Sequence, residues 1–161
     1  MKALILYRSF NGNTKQVAEV MGRRLGTLGY EAAVQDVRAR LPDLGQVDIV
    51  LNGAPTRMAR VNRRSVSILR KLKAKGLADK PVAIFDTCAL SPADPVEREK
   101  AQSWIVPGAA GIMRTAAERM GLNVYKDTLR CPVKGLRGPL VDDAIANAEA
   151  FVEAFVASAW K

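Results

Sequence analysis

The chain has 161 residues, 48% apolar and 25% charged, which suits one soluble domain spanning residues 1–161. It contains no histidine, so Ser-His-Asp and Cys-His catalysis are excluded, and its two separated cysteines make no metal site. The net charge of +9 favours anionic partners without choosing among them.

Lys2 to Tyr7 is a short apolar run, the pattern of a buried parallel strand. Thr14 to Leu28 follows with Val17, Ala18, Met21, Leu25 and Leu28 at helical spacing, and Gly29 stands where a helix would end. Tyr30 to Val37 reads as a second strand, Leu41 to Gly45 as a turn or one helical turn, and Val47 to Gly53 as a third strand. Asn62 to Lys75 is predicted helical, with Val66, Leu69 and Leu72 along one side. Pro81 to Asp86 is a fourth strand, since proline is tolerated as a strand's first residue. Thr87 to Val106 reads as irregular. Pro107-Gly108 opens a helix reaching about Met120, Asn123 to Val133 holds a fifth strand, and Leu140 to Ala159 is the last helix.

Alternating strands and helices with right-handed crossovers imply an α/β fold. The expected form is a single doubly wound sheet of five parallel strands, order 2-1-3-4-5, with helices on both faces. In such sheets ligands bind beyond the carboxyl ends of the strands, where the strand order reverses. The loop after the first strand lies at that point. Ser9, Asn11, Asn13 and Thr14 supply four short polar side chains, and Gly12 permits close backbone approach. The helix that begins there offers unpaired N–H groups and a positive dipole end to an anion. The glycine patterns of nucleotide-binding P-loops and of dinucleotide-binding folds are both absent.

With these residues in place, the chain resembles the flavodoxin family. Ser9-x-x-Gly12-Asn13-Thr14 is similar to that family's phosphate loop, and Gly53-x-Pro55-Thr56 to the element ending its third strand. Phe85-Asp86-Thr87 falls in the third cofactor loop, and Val133 to Leu140 resembles a Val-x-Gly-x-x-Gly-Pro-Leu element of flavodoxin-domain proteins. The resemblance implies FMN as cofactor. Ser9, Phe10, Asn11, Gly12, Asn13 and Thr14 would hold its phosphate. Pro55, Thr56, Arg57 and Met58, then Thr87, Cys88, Ala89 and Leu90, would flank its ring. No catalytic side chain and no metal are implied, because the flavin itself carries the chemistry.

Two features depart from the family pattern. No aromatic residue lies between Ala54 and Lys80 or between Asp86 and Ser103; Trp104 could fold back towards the ring, although a tryptophan beside a helix start is more often packed in the core or at its edge. Electron-carrying flavodoxins are typically acidic, whereas Arg57, Arg60, Arg63, Arg64, Arg70, Lys71, Lys73 and Lys75 form a basic segment containing no acid. The expected function is an FMN-binding redox protein, either an electron carrier or a small flavin-dependent reductase. It would exchange electrons with a redox partner protein or a small acceptor, acidic if the basic segment takes part. The alternative is a binding module with weak or no FMN affinity, its basic patch holding a nucleotide or an acidic partner. Nucleic acid fits poorly, because the basic segment offers no aromatic for base stacking. The absence of a long apolar run or a leader-like N-terminus sets the expectation of a cytoplasmic chain. Cys88 and Cys131, near the ends of neighbouring strands, are a conceivable redox pair, though two unrelated buried thiols are the simpler expectation.

Overall fold

The computed structural model describes all residues, 1–161. Its elements are β1 (Lys2–Tyr7), α1 (Asn13–Thr27), β2 (Glu31–Asp36), β3 (Ile49–Pro55), α2 (Arg63–Ala74), β4 (Val82–Ala89), α3 (Pro95–Ile105), α4 (Gly108–Arg119), β5 (Val124–Val133) and α5 (Ala144–Ala159). The five strands form one sheet in the order β2-β1-β3-β4-β5, with every neighbouring pair parallel. This is the doubly wound arrangement that the alternation of elements predicts. No helix is long and apolar enough to cross a membrane.

Each face of the sheet carries its own core. Ile5, Leu51 and Phe85 meet Val17, Met21 and Leu25 of α1 and Val152 and Phe155 of α5. Leu4, Leu6, Val50 and Ile84 meet Ile68, Leu69 and Leu72 of α2 and Met113 of α4. Burial on both faces explains why β1, β3 and β4 are nearly continuous apolar runs. The edge strand β2 is largely exposed and accordingly mixes Glu31, Gln35 and Asp36 with alanines.

Four elements differ from the sequence reading, each for a local reason. β3 spans Ile49–Pro55 rather than Val47 to Gly53, because Ala54 and Pro55 still pair with Asp86 and Thr87. β4 runs to Ala89, because Thr87, Cys88 and Ala89 still pair with Cys131, Pro132 and Val133. The last helix starts at Ala144 rather than Leu140, because Leu140 is held in an isolated bridge to Val133. The stretch read as irregular, Thr87 to Val106, contains α3. Asp94 caps this helix through the Glu97 N–H (3.3 Å), and Pro95 occupies its first turn. Only Ile105 of α3 is buried, so the helix has no apolar stripe for a periodicity search to find.

The strand register separates the two cysteines. Cys131 lies opposite Thr87, so these two side chains share a face. Cys88, one residue further on, points to the other face. Both thiols are free and buried, and the redox pair is therefore not formed. Burial, reinforced by the Asp86 carboxylate, pushes Cys88 up to about 11 and Cys131 up to about 12. Thiolates are the reactive form, so both cysteines should resist alkylation at pH 8 in the native protein and react on unfolding. Because folding holds the protons on, the unfolded chain ionises first. Stability should fall from about pH 9 towards pH 11, a loss that denaturant titrations across that range would read.

Candidate functional site

A cleft of about 490 Å³ opens at the carboxyl edge of the sheet. It is walled by the loops after β1, β3 and β5, by the last residues of β4 and by the end of α3. Its size is that of an ordinary small-molecule site.

The floor comes from the loop between β1 and α1. Gly12, at φ 89°, occupies the position before α1, and no side chain caps that helix. The first-turn amides therefore face outward without side-chain partners, and the helix dipole makes this end attractive to an anion. Ser9 Oγ accepts the Gly12 N–H (3.0 Å), which folds the loop and leaves the serine proton to donate elsewhere. The Thr14 and Thr87 hydroxyls, both buried, lie 2.7 Å apart. One donates to the other, so one proton remains for a group in the cleft. Asn13 Nδ2 donates to the Arg137 carbonyl (3.0 Å) and thereby ties the loop after β5 onto the floor.

The side walls rest on a buried ionic network. Asp86, fully buried near the end of β4, accepts from Arg130 Nε (3.1 Å) and Nη2 (3.0 Å). It also accepts from the Thr56 hydroxyl (2.7 Å) and the Ala110 N–H (3.0 Å). Thr56 Oγ1 in turn accepts the Ala109 N–H (2.7 Å). The carboxylate and the threonine thus satisfy the first amides of α4, placing a negative charge where the helix dipole favours one. Gly108 leads into that helix at φ 74°, and a Cβ there would collide with the Arg130 guanidinium.

Arg130 Nη2 also donates to the Ile105 carbonyl (2.9 Å), fixing the junction of α3 and α4. A tight turn completes this wall. Arg57 and Arg60 exchange both backbone hydrogen bonds, with Met58 (φ 50°) and Ala59 (φ 61°) between them in the left-handed region. The Ala59 N–H donates to the Trp104 carbonyl (2.7 Å), and the Gly108 N–H donates to the Ala59 carbonyl (3.1 Å). Turn, α3 and α4 are therefore held as one unit beside the cleft.

The structure brings the residues singled out in the sequence together, with two exceptions. Ser9, Phe10, Asn11, Asn13 and Thr14 line the cleft from below. Pro55, Thr56, Arg57 and Met58 line one side, and Thr87, Cys88 and Ala89 the other. Gly12 and Leu90 lie outside the lining. Thr56 lines the cleft with its hydroxyl spent on Asp86 and α4, so it builds the wall and has no proton left for a ligand. Sequence reasoning missed Trp104, Val133, Gly135, Leu136 and Arg137 as lining residues. Trp104 is half exposed at the cleft rather than packed in the core. The glycine-rich Val133 to Leu140 element was the signal for the last group. The Phe10 ring, also at the cleft, lies under the guanidinium carbons of Arg8 (4.1 Å) and Arg57 (4.7 Å).

Residues 4–119 match the model of the flavodoxin domain family. Solved structures agree over the whole chain. Oxidised flavodoxin 1 from Bacillus cereus is 20% identical, with TM-score 0.73, covering 98% of this chain and 99% of that one. A flavodoxin from the domain Archaea is 19% identical, with TM-score 0.74 and full coverage of both chains. Flavodoxin 2 from Bacillus cereus is 20% identical, with TM-score 0.71, covering 98% and 99%. At such identities the structural likeness is one of fold.

Two predictions test how the walls are built. Asp86→Asn leaves Arg130 without its counter-charge and replaces one acceptor oxygen by an NH2 donor facing other donors; denaturant unfolding should show a loss of about 3 kcal/mol. Met58→Gly relieves the left-handed backbone at an exposed position and should gain about 1 kcal/mol in the same assay.

Proposed function

The chain belongs to the flavodoxin family, whose cofactor is FMN, and on that premise we propose that it is a cytoplasmic FMN-binding electron carrier built as a single domain. The observation that carries this reading is the cleft itself. It pairs an uncapped helix N-terminus ringed by hydroxyl and amide side chains with walls that offer Met58, Trp104 and Leu136. That donor set suits a phosphate at one end of a ligand and a flat apolar ring at the other.

In this reading the amides at the start of α1 hold the phosphate, with Ser9 and one of Thr14 and Thr87 donating to it. Asn13 keeps the loop after β5 closed over the site. Trp104 serves as the stacking aromatic that the neighbouring loops lack, which answers the first departure from the family pattern. Met58 and Leu136 exclude water from the ring. Arg57 adds positive charge to the wall and favours an electron-rich ligand.

Bound FMN supplies the electron-accepting and electron-donating chemistry. A carrier is favoured over a small reductase because no carboxylate or imidazole lines the cleft. Its titratable thiol, Cys88, holds its proton up to about pH 11, and Asp86 is sealed beneath the floor by its four donors. A substrate needing proton transfer would find no group poised near neutral pH.

Titration of the protein into FMN, read by quenching of flavin fluorescence, tests the proposal. Saturable one-to-one binding is expected. Trp104→Ala should weaken it by about threefold to tenfold, the value of one aromatic stacking contact. No binding at tens of micromolar FMN would favour instead a module that uses this fold without the flavin.

A further inference from the structure

The cleft mouth has a charge pattern that FMN alone does not explain. Arg57 and Arg60 are exposed on the tight turn, and Arg63 and Arg64 are exposed in the first turn of α2. None of the four forms an ion pair, although eight ion pairs form elsewhere on the molecule. No acidic residue lies in the first turn of α2, so Arg63 and Arg64 work against the dipole of their own helix. Charges placed at a cost to the folded chain, and left unpaired, suit a counter-charge from outside.

The residue types narrow the source of that counter-charge. The positions beside the cleft are all arginine, whereas the last turn and end of α2 carry Lys71, Lys73 and Lys75. Arginine presents a planar fork matched to carboxylates and sheds its hydration more readily than lysine. Next to these arginines lie large exposed apolar side chains: Met58 (67% exposed), Trp104 (54%) and Leu136 (97%), all at the cleft. An apolar centre rich in Met and Trp, with a rim of arginine, is the anatomy of a protein–protein interface.

A flat anionic membrane fits less well. Touching Trp104 would also bring α3 against the headgroups, where Glu97 and Glu99 offset Arg98 and Lys100 and the capping Asp94 adds a negative charge, so this side has no positive surplus for a membrane. A protein surface can match such a divided field locally. Nucleic acid would lack stacking aromatics anywhere between Arg57 and Lys75.

We propose that the mouth of the cleft docks an acidic redox protein, steered by Arg60, Arg63 and Arg64 and seated on Met58, Trp104 and Leu136. The proposal rests on the FMN reading only for what the partner exchanges. In each encounter one electron leaves the partner's redox centre, which is oxidised, and enters the bound flavin, which is reduced; the reverse encounter runs the other way. Docking itself is a separate property and is measured separately.

The test uses the FMN-supplemented protein, with flavin occupancy read from its absorbance first. It is titrated calorimetrically with an acidic plant-type [2Fe–2S] ferredoxin and, as the opposite case, with a basic c-type cytochrome. The ferredoxin should bind, the cytochrome should not, and the ferredoxin affinity should fall by about tenfold or more between low and physiological salt. The triple variant Arg60→Glu, Arg63→Glu, Arg64→Glu should abolish ferredoxin binding while leaving FMN affinity unchanged. Its melting temperature should not fall, since acids at that helix end suit the dipole.

Ferredoxin binding that ignores both salt and the triple variant would overturn the proposal, as would absence of binding. Loss of binding to phosphatidylglycerol vesicles in the variant, with ferredoxin never bound, would overturn it in favour of a membrane surface. A protein that docks ferredoxin yet takes up no flavin would leave docking standing and refute the FMN reading alone.

Discussion

Asp86 is a fully buried carboxylate at the carboxyl end of β4, and the shape of the cleft depends on how its charge is met. Arg130 from β5 supplies the counter-charge, Thr56 just past the end of β3 a hydroxyl, and α4 an amide. Three adjacent strands and one helix are joined at a single group. Buried ion pairs add little net stability against a well-packed apolar alternative, because both charges lose water. Their value is in specifying one arrangement. Here that arrangement fixes the start of α4, the end of α3 through the Ile105 carbonyl, and so the wall that carries Trp104.

That wall would otherwise have little to hold it. α3 buries only Ile105, so apolar packing does not decide where the helix lies. Hydrogen bonds to backbone carbonyls decide it instead: the Ala59 N–H donates to Trp104, the Gly108 N–H to Ala59, and the Arg130 guanidinium to Ile105. Two left-handed residues, Met58 and Ala59, carry strain of about 1–2 kcal/mol each to make these bonds possible. Strain of this kind persists where the surroundings over-determine it, commonly beside a binding site.

Electrostatics divides the site into three depths. Deepest is Asp86, neutralised and committed to structure. Above it the floor offers neutral hydroxyls and amides around a helix N-terminus, a setting for an anion that needs no cationic side chain. At the mouth, arginines without acidic partners face solvent. A ligand phosphate and the acidic groups of a partner would use different layers, so the arginines can be changed without touching the phosphate site.

The sheet order, five strands and four of the five helices were legible in the sequence, because burial on both faces writes long apolar runs and helical stripes into the chain. The anion-binding loop from Ser9 to Thr14 was legible for a related reason: small polar residues and a glycine there serve no packing purpose. α3 left only its capping signal, Asp94-Pro95-x-Glu97, since an exposed helix needs no apolar stripe. The place of Trp104 and the commitment of the Thr56 hydroxyl were not legible, because each is set by partners far along the chain: the turn at Ala59, and Asp86 with the start of α4. The positions of the cysteines near strand ends left a pair conceivable, and only the register showed them facing opposite sides of the sheet. The sequence by itself determined which segments would be buried and where an anion could bind, because both are local properties of residue type. The tertiary structure alone decided which side chains remain free to meet a ligand, because that depends on every hydrogen bond already spent in folding.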